Sequence, residues 1–403
     1  MFSVSSVVSF LLVLFVADNK KEKRMFEYKK TGRFFAQVAG KMEELGAAEL
    51  KEFGVKEIKP VYRGVWFKTD LEHIYRINYR CRLITRVLAP LLSFDCHSTN
   101  YLLKTASEIE WDEFLSPKDT FAIFATVSNS KINHSHYASL VLKDAVVDYF
   151  REKTGERPSI NRENPDVWIN LHIENNKAHI SLDTSGGSLH KRGYRLQSVT
   201  APMQETLAAT IIRLSGWNGT TPFMDPMCGS GTLLSEALLH YCRIPSAFRR
   251  KKFGFENLPD FDKEKWQKIK DDGERLQRDL PENLIFGSDI DKDAVYAAIA
   301  NLNSLPQGKK VKIEQADFRE LAGMENTTII CNPPYGLRIG NSTELKGLYK
   351  AFGDFLKQKC KGSTAWIYCG NRELIGSLGL KPSAKIPLMN GNLDGRLVKI
   401  EVY

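Results

Sequence analysis

The stretch Thr328-Ile329-Ile330-Cys331-Asn332-Pro333-Pro334-Tyr335-Gly336 joins a short apolar run to a rigid turn. The run from Ile329 to Cys331 predicts a buried strand that ends at Asn332. The two prolines that follow prevent the backbone from continuing a sheet ladder or beginning a helix at once. The stretch therefore predicts a fixed turn at the carboxyl end of a strand, where open α/β sheets bind their ligands.

This turn offers groups that suit a planar amine. The amide oxygen of Asn332 and the carbonyl of Pro333 can accept its two N–H groups, and the ring of Tyr335 can stack on it. Such an amine is a poor nucleophile because its lone pair is delocalised into the ring. Acceptors that hold both N–H groups favour the pyramidal, nucleophilic form, which stabilises the transition state by fixed dipoles. The alternative is a Pro-Pro loop after a core strand, with Asn332 as a turn former.

A second motif lies upstream, in Asp225-Pro226-Met227-Cys228-Gly229-Ser230-Gly231-Thr232. It stands between an apolar segment and a predicted helix, so it predicts a strand, a glycine-rich turn and a helix. Gly229 and Gly231 let the backbone approach a ligand closely. The motif lacks the third glycine of the dinucleotide fingerprint and the lysine of a phosphate-binding loop, which disfavours NAD and ATP. A tight turn without a ligand explains this motif alone equally simply.

Two further acids stand at the ends of predicted strands. Asp289 follows the predicted strand Leu284–Ser288, and Asp317 follows the next one. An acid at the tip of the second strand is the expected partner of ribose hydroxyls. Any one of these acids is more often a helix cap or a turn residue. Together with Asp225 and Asn332, however, they predict four polar groups on one edge of one sheet.

The composition is that of a globular protein with more than one domain. The chain has 403 residues, 42% of them hydrophobic and 26% charged, and its net charge of +9 suits a partner rich in phosphate. Its seven cysteines form no C-x-x-C pair and its eight histidines no H-E-x-x-H pattern, which argues against a metal site and a disulfide framework. These features favour a reducing, cytoplasmic compartment.

The residues before Met25 are a separate case. Phe10 to Ala17 is an apolar run too short for a membrane span, and no positively charged segment precedes it. We interpret Met25 as the true start and residues 1–24 as a mis-annotated leader. A genuine targeting segment is the alternative.

Between Thr31 and Asp183 the pattern predicts two small α+β units, the second with a hairpin at Asn175-Asn176-Lys177. Ser185-Gly186-Gly187-Ser188 predicts a linker, and His190-Lys191-Arg192-Gly193-Tyr194-Arg195 follows it. Basic residues beside an aromatic ring suit a nucleic-acid backbone, although a solvated loop explains them equally well. The second basic run, Arg249-Arg250-Lys251-Lys252-Phe253, allows the same two interpretations.

Four more segments complete the predicted order of elements. These are a single strand over Val61–Phe67, a helix over Ala201–Leu214, an insertion over Ala247–Pro281 that contains a helix from Lys263 to Leu280, and a hairpin turn over Asn390–Gly395.

The two motifs together resemble those of class I S-adenosylmethionine-dependent methyltransferases that act on exocyclic amines. More specifically, the chain resembles the THUMP-containing RNA methyltransferases. Within these it is most similar to the bacterial enzymes that form N2-methylguanosine in 23S ribosomal RNA. Besides the motifs, the resemblance rests on Leu189–Arg195, Ala201–Glu205, Phe253–Phe255 and Leu388–Gly391.

The resemblance implies an α/β fold with three parts. A Rossmann-like class I methyltransferase domain is expected over residues 190–403. It is preceded by a ferredoxin-like unit over 31–73 and a THUMP RNA-binding domain over 74–184. Some members carry a second methyltransferase beyond the first; because this chain ends at Tyr403, a single methyltransferase activity is expected.

The resemblance also implies roles for the residues of both motifs. S-adenosylmethionine is the expected cofactor and RNA the expected partner, with no metal and no membrane. The expected cofactor contacts are Asp225, Gly229, Gly231 and Thr232 near the methionine, Asp289 at the ribose and Asp317 at the adenine amino group. Asn332, Pro333 and Tyr335 are expected to hold the target amine.

These expectations favour an RNA guanine-N2 methyltransferase. A transfer-RNA guanine-N2 methyltransferase and a non-catalytic RNA-binding factor for ribosome assembly are the alternatives. The Asn-Pro-Pro-Tyr turn also occurs in enzymes that methylate adenine N6 in DNA or glutamine amides in proteins. The turn therefore indicates a planar amine and leaves its identity open, as the sequence leaves the oligomeric state.

Overall fold

A computed structural model describes residues 25–198, 202–336, 342–391 and 393–403 of the chain. The expected leader before Met25 lies outside these residues, and so does Ala201, the predicted first residue of a helix.

The N-terminal half alternates short helices with strands. Its elements are α1 (Glu27–Thr31), β1 (Arg33–Gln37), α2 (Glu43–Glu52), β2 (Lys56–Val61), β3 (Gly64–Lys68), α3 (Leu71–Arg80), β4 (Arg86–Asp95), α4 (Thr99–Ala106), β5 (Thr120–Ser128), α5 (Ser135–Thr154), β6 (Ser159–Ile160), β7 (Val167–Glu174) and β8 (Lys177–Asp183).

These strands form one eight-stranded sheet in the order β2-β3-β1-β4-β8-β7-β5-β6. The ten-residue strand β4 joins the two predicted units because it pairs antiparallel with β1 on one side and with β8 on the other. The predicted hairpin between β7 and β8 is confirmed. Its turn residues Asn175 and Asn176 have φ values of 50° and 60°, which asparagine tolerates better than most residues.

The single strand predicted over Val61–Phe67 was wrong. The structure has a hairpin there, β2 followed by β3, which turns at Tyr62 and Arg63. Strand β2 lies at the edge of the sheet, and all of its residues are at least partly exposed. An edge strand of this kind needs no apolar alternation, so its sequence, Lys-Glu-Ile-Lys-Pro-Val, carries little strand signal.

The C-terminal half is a doubly wound α/β domain. Its elements are α6 (Glu205–Ser215), β9 (Phe223–Asp225), α7 (Thr232–Tyr241), α8 (Lys263–Arg275), β10 (Ile285–Asp289), α9 (Lys292–Asn303), β11 (Lys312–Gln315), β12 (Thr328–Cys331), α10 (Ser342–Lys359), β13 (Thr364–Cys369), β14 (Ala384–Asn390) and β15 (Leu393–Glu401).

The seven strands of this half are ordered β11-β10-β9-β12-β13-β15-β14. Strands β11, β10, β9, β12 and β13 are parallel, and β15 runs antiparallel to both of its neighbours, β13 and β14. The chain order reverses direction at β9, between β10 and β12. This is the topological switch point at which doubly wound sheets form their ligand crevice.

The predicted insertion, Ala247–Pro281, fastens the two halves together. Trp266 of α8 packs edge-on against Tyr79 of α3, with ring centroids 5.3 Å apart, and Phe255 lies 4.5 Å from Tyr75. The backbone also comes very close at Gly254, where an added Cβ would lie 1.8 Å from the Asp183 carbonyl oxygen. The segment was predicted only as an insertion, and the structure shows that it forms part of the interface between the N-terminal and C-terminal halves.

The predicted linker over Ser185–Ser188 connects the two halves, and the structure shows that it is held by buried hydrogen bonds. Ser185 is fully buried; its hydroxyl donates to Asn78 Oδ1 at 2.7 Å and accepts the Val87 N–H at 2.8 Å. The Arg250 guanidinium donates to the carbonyls of Gly186 and Ser188 at 2.9 and 2.8 Å. These contacts make the segment a fixed joint, which glycine and serine composition alone does not reveal.

Two residues of the basic run after this joint, Arg192 and Tyr194, are buried and therefore face neither a nucleic acid nor solvent. Arg192 is buried, and its guanidinium lies 3.5 Å from the buried carboxylate of Glu236 on α7. The Tyr194 hydroxyl donates to the same carboxylate at 3.1 Å. Lys191 remains exposed. Burial of an arginine is stabilised here by charge pairing, a property that a count of basic residues cannot show.

Replacing Arg192 by methionine should destabilise the protein by about 3–5 kcal/mol, because Glu236 would keep a buried charge without its partner. Lys191→Met is the matched control and should change the free energy of unfolding by less than about 0.5 kcal/mol. Urea unfolding of both variants measures the difference. Equal stability of the two variants would show that the pair is not coupled.

Candidate functional site

Four parallel strands bring the predicted site residues to one edge of the sheet. Strand β9 ends at Asp225 and β10 at Asp289, while Asn332 directly follows the last residue of β12. Asp317 lies two residues beyond the end of β11. Because parallel strands share their direction, the four side chains lie at the carboxyl edge, as the sequence predicted.

The glycine-rich turn connects β9 to α7 and is held by the neighbouring strand. The Gly229 N–H donates to Asp289 Oδ2 at 2.8 Å, and the Cys228 N–H donates to the Ser288 carbonyl at 2.9 Å. Gly229 and Gly231 have φ values of 54° and 75°, which glycine adopts without strain. The second oxygen of Asp289 accepts the Asp291 N–H at 3.0 Å.

Helix α7 begins at Thr232, immediately after this turn. The N–H groups of its first turn have no partner within the helix and carry a positive partial charge. A Cβ at Gly231 would lie 3.1 Å from that of Ala298 on α9, so the turn sits tightly against the next helix. The turn thus leaves its open side to a ligand that can approach the backbone.

Asp225 is almost completely buried behind the turn. Its Oδ1 accepts the Met227 N–H at 3.3 Å. Burial, with the negative charge of Asp289 nearby, raises the pKa of the Asp225 carboxyl to about 8. This carboxyl is therefore largely protonated at neutral pH in the protein alone, and a cation placed beside it would favour its ionised form.

Asp317 is engaged by a neighbouring side chain. The Arg319 Nε donates to its Oδ1 at 2.9 Å, and Arg319 Nη2 forms an ion pair with its Oδ2. These hydrogen bonds hold the pKa of Asp317 below its usual range. A ligand that binds the Asp317 carboxylate therefore has to share it with Arg319. The sequence analysis did not predict this pairing.

The turn after β12 places an unsatisfied acceptor in the lining of a small cavity. The Oδ1 of Asn332 is buried and accepts no hydrogen bond from the residues that the structure describes. The smaller cavity, of about 50 Å³, is lined by Pro202, Met203, Asp225, Met227, Cys228, Gly229, Ser230, Thr232, Leu233 and Asn332. Leaving a buried acceptor unpaired is costly, so the arrangement points to a donor supplied by a ligand.

Other residues of the same turn, Tyr335 and Gly336, line the larger cavity. It has a volume of about 900 Å³ and is lined by Pro202, Tyr335, Gly336, Gly370, Asn371, Arg372, Glu373, Asn390, Leu393 and Asp394. The Tyr335 ring is held edge-on by Tyr368, with centroids 6.4 Å apart. At Gly370 an added Cβ would lie 2.6 Å from that ring, so the site requires glycine there.

Sequence reasoning missed the charged wall of this cavity. Asp394 accepts from Lys41 at 3.1 Å and from Arg396 at 2.7 Å, and it lies 3.6 Å from Arg372. Those cations, Arg396 first and Lys41 next, lower the pKa of Asp394 to about 2. The segment around Asp394 was interpreted only as a hairpin, and Lys41 is 353 positions away in the chain, so no local pattern links them.

Two further observations concern the described residues as a whole. No group of three or more His, Cys, Asp and Glu side chains in this part of the chain is arranged to hold a metal ion. Within the same residues, no helix has both the length and the apolar content to cross a membrane.

Known families match all three parts of the chain. The RMKL-like methyltransferase domain matches residues 192–399, the THUMP domain residues 96–183 and the RlmL ferredoxin-like domain residues 33–88. The chain belongs to the RMKL-like methyltransferase family. The boundaries drawn from the sequence at residues 73 and 184 stay predictions.

Individual relatives of this RMKL-like protein agree with that assignment. "Putative RNA methyltransferase slr0064" of Synechocystis is 39% identical over 374 residues, covering 93% of this chain and 97% of the relative. The ribosomal RNA large subunit methyltransferase K/L of Syntrophotalea carbinolica is 36% identical over 381 residues. These are 92% of this chain and 53% of that relative, so the chain spans about half the length of the K/L protein.

A solved structure resembles the fold closely. The crystal structure of SMU.472, "a putative methyltransferase complexed with SAH", has a TM-score of 0.82 and 26% identity, and covers 93% of this chain and 98% of its own. The predicted family, fold class and S-adenosylmethionine cofactor are thereby confirmed for the RMKL-like protein. The glycine-rich turn, which lines the smaller cavity and packs tightly against α9 at Gly231, fits such a cofactor. The roles predicted for individual residues stay predictions.

The raised pKa of Asp225 predicts a specific pH dependence of stability. An unfolded aspartate titrates near pH 3.9, so between about pH 4 and pH 8 the folded state keeps a proton that the unfolded state has lost. The group therefore lowers stability as pH rises, by up to about 1.4 kcal/mol per pH unit. Asp225→Asn removes this contribution. Urea unfolding from pH 5 to pH 8 should show the wild type losing stability relative to the variant; parallel pH curves would contradict the assignment.

Proposed function

We propose that the chain transfers a methyl group from S-adenosylmethionine to the exocyclic N2 amine of a guanosine in RNA. The observation that carries the proposal is the buried, unpaired Oδ1 of Asn332. This oxygen belongs to a residue that lines the smaller cavity together with the glycine-rich turn. Tyr335, on the same rigid turn as Asn332, lines the larger cavity. A donor from an amine that reaches this oxygen satisfies the acceptor.

Asn332 and Pro333 then act on the amine before methyl transfer. The Asn332 oxygen and the Pro333 carbonyl accept one N–H each, which withdraws the nitrogen lone pair from the ring and directs it toward the methyl donor. When bound, S-adenosylmethionine would supply an electrophilic methyl group on a sulfonium and would leave as the neutral thioether S-adenosylhomocysteine. The methylated amine, which is cationic once the new N–C bond has formed, would release one N–H proton to water. Burial raises the pKa of the neighbouring Cys331 thiol, so that thiol stays protonated at neutral pH and is not a base for the amine.

Tyr335 provides the surface on which the target base rests. Its ring lines the larger cavity and is fixed by Tyr368 and by the absence of a side chain at Gly370. Stacking on an aromatic ring accepts any base, so Tyr335 captures the base and does not select it. The charged wall around Asp394 lines the same cavity and offers polar groups that can hydrogen-bond to the edge of the base.

The cofactor is assigned to the glycine-rich turn. Gly229, Gly231 and Thr232 bring backbone N–H groups close to the methionine end, with Asp225 behind them. Each carboxylate oxygen of Asp289 accepts one backbone N–H and can accept a further hydrogen bond. Asp289 uses these remaining acceptor positions for the ribose hydroxyls. Asp317 receives the adenine amino group beside Arg319.

The choice of RNA rests on the N-terminal half and on the relatives. The THUMP domain matches residues 96–183, and the K/L relatives are named for large-subunit ribosomal RNA. We therefore propose ribosomal RNA of the large subunit as the substrate and the cytoplasm as the place of action. Nucleoside analysis of ribosomal and transfer RNA from cells that lack the gene tests this choice. Loss of N2-methylguanosine from transfer RNA alone would contradict it.

Asp289→Ala should weaken S-adenosylmethionine binding by about 1.5–3 kcal/mol for each hydroxyl hydrogen bond lost to this charged acceptor. The exposed Asp293→Ala in the first turn of α9 is the control and should leave the affinity unchanged. Isothermal titration calorimetry measures both. An undiminished affinity in Asp289→Ala would remove Asp289 from the cofactor site.

Asn332→Ala should lower the rate of methyl transfer by roughly 10²–10³-fold, as is typical when one preorganised polar group is lost, with little change in cofactor affinity. Asn332→Asp should keep part of the rate because a carboxylate still accepts from the amine. The exposed Asn303→Ala is the control. Single-turnover transfer to RNA with guanosine or inosine at the target identifies the acceptor, since inosine lacks the exocyclic amine. Equal labelling of the two RNAs would exclude guanine N2.

A further inference from the structure

The eight-stranded sheet of the N-terminal half has two unlike faces. On one face, residues such as Phe34, Phe67, Leu171 and Ile180 are buried in the hydrophobic core. The opposite face is only partly covered, and we call it the open face. It is formed by Phe35, Trp66, His172 and His179 with the cations Arg33, Lys56, Lys59 and Lys68.

Four rings follow one another across the open face. Phe35 on β1 lies 5.0 Å from Trp66 on β3, and Trp66 lies 6.3 Å from His179 on β8. The His179 ring is stacked on His172 of β7, also at 6.3 Å between centroids. All four side chains are partly exposed. A soluble sheet normally carries polar side chains on its solvent face, so a connected row of rings there needs another explanation.

The cations are gathered around Trp66. Arg33 places its guanidinium 5.2 Å from the centre of the Trp66 ring. Lys59 is the cross-strand partner of Trp66, and Lys56 is the partner of Lys68 two residues further on. Residues three apart in a regular strand point to opposite faces, and a bulge between Lys56 and Lys59 brings both lysines to the open face.

The bulge is a fixed feature of the backbone. Glu57 lies within it, with a φ of 49°, a conformation that glutamate rarely adopts. Its carboxylate pairs with Lys68 at 3.2 Å. Among the described residues, no carboxylate is paired with Arg33, Lys56 or Lys59 in this way. The edge of the sheet thus presents three exposed positive charges beside an aromatic ring.

We propose that the open face binds a single-stranded segment of RNA, whose bases stack on Trp66 and the His172–His179 pair while Arg33, Lys56 and Lys59 contact its phosphates. Interleaved rings and cations on a sheet are the combination that single strands need. A duplex is disfavoured because its bases are stacked on one another and do not expose their faces. The proposal rests on the proposed function for its choice of nucleic acid, and it assigns the N-terminal half a binding mode.

The first test uses the full chain and a short unstructured oligoribonucleotide with a fluorescent label, with a base-paired hairpin of equal length as competitor. Trp66→Ala should weaken binding by about ten-fold or more, because one stacking platform is lost. Trp66→Phe should bind nearly as the wild type, since it keeps a ring. Tyr137→Ala, an exposed aromatic residue on α5, is the matched control and should have no effect.

The second test varies the salt concentration. Each phosphate contact on a single strand contributes about 0.7 to the slope of log affinity against log salt, so Lys59→Ala should lower the slope by about that amount. The exposed Lys346→Ala on α10 should leave it unchanged. These cation variants lie on the surface and test the proposal even where Trp66→Ala impairs folding.

The outcomes separate this surface from the proposed activity. Unchanged binding by both Trp66→Ala and Lys59→Ala, or a preference for the hairpin, would overturn the proposal and leave the methyl-transfer assignment intact. Loss of a concentration-dependent dimer in Trp66→Ala, without a change in RNA binding, would make the face a protein contact and also overturn it. Wild-type binding with the expected losses, but no transfer to guanosine N2, would contradict the proposed function alone.

Discussion

The hydrogen bond from the Gly229 N–H to Asp289 Oδ2 ties together the parts of the site that lie far apart in the chain. It joins the glycine-rich turn after β9 to the tip of β10, beside the switch point between β9 and β12. The buried Asp225 and the start of α7 take their positions from that turn. Since β12 pairs with β9 on its other side, the Asn332 turn is fixed relative to the same two strands. Parallel pairing of the strands thus brings four residues that are distant in sequence to one edge of the sheet.

Much of this edge could be predicted because its signals are local. Asp225, Asp289 and Asn332 each stand where an apolar run stops. Because the strands are parallel, the ends of these runs lie together at one edge of the sheet. The paired prolines at Pro333 and Pro334 allow few other conformations. The two asparagines between β7 and β8 were equally informative, because a type I′ hairpin turn needs positive φ at both central positions.

The errors came from residues whose state depends on distant partners. Arg192 was interpreted by its charge, yet the structure buries it against Glu236. Ser185 was interpreted by its composition, yet it bonds to Asn78, 107 positions away. Lys56 and Lys59 reach one face only through a bulge, which no alternation of residue types marks. A count of basic residues therefore could not show that Arg192 is buried or that Lys56 and Lys59 share one face of the sheet.

The contact between Lys41 and Asp394 links the first strand's loop to the last hairpin, 353 positions along the chain. Met42, next to it, is buried in the core of the C-terminal half. During synthesis on a ribosome, this loop emerges early and its partners emerge last. The N-terminal half is made first, but the apolar side chain of Met42 has to wait in solvent until helix α6, whose Thr210 hydroxyl contacts the Met42 sulfur, has been made. The side chain of Met42 is therefore exposed in the newly made N-terminal half and buried in the finished enzyme. A chaperone that recognises exposed apolar loops can bind this loop only during the interval between the two states.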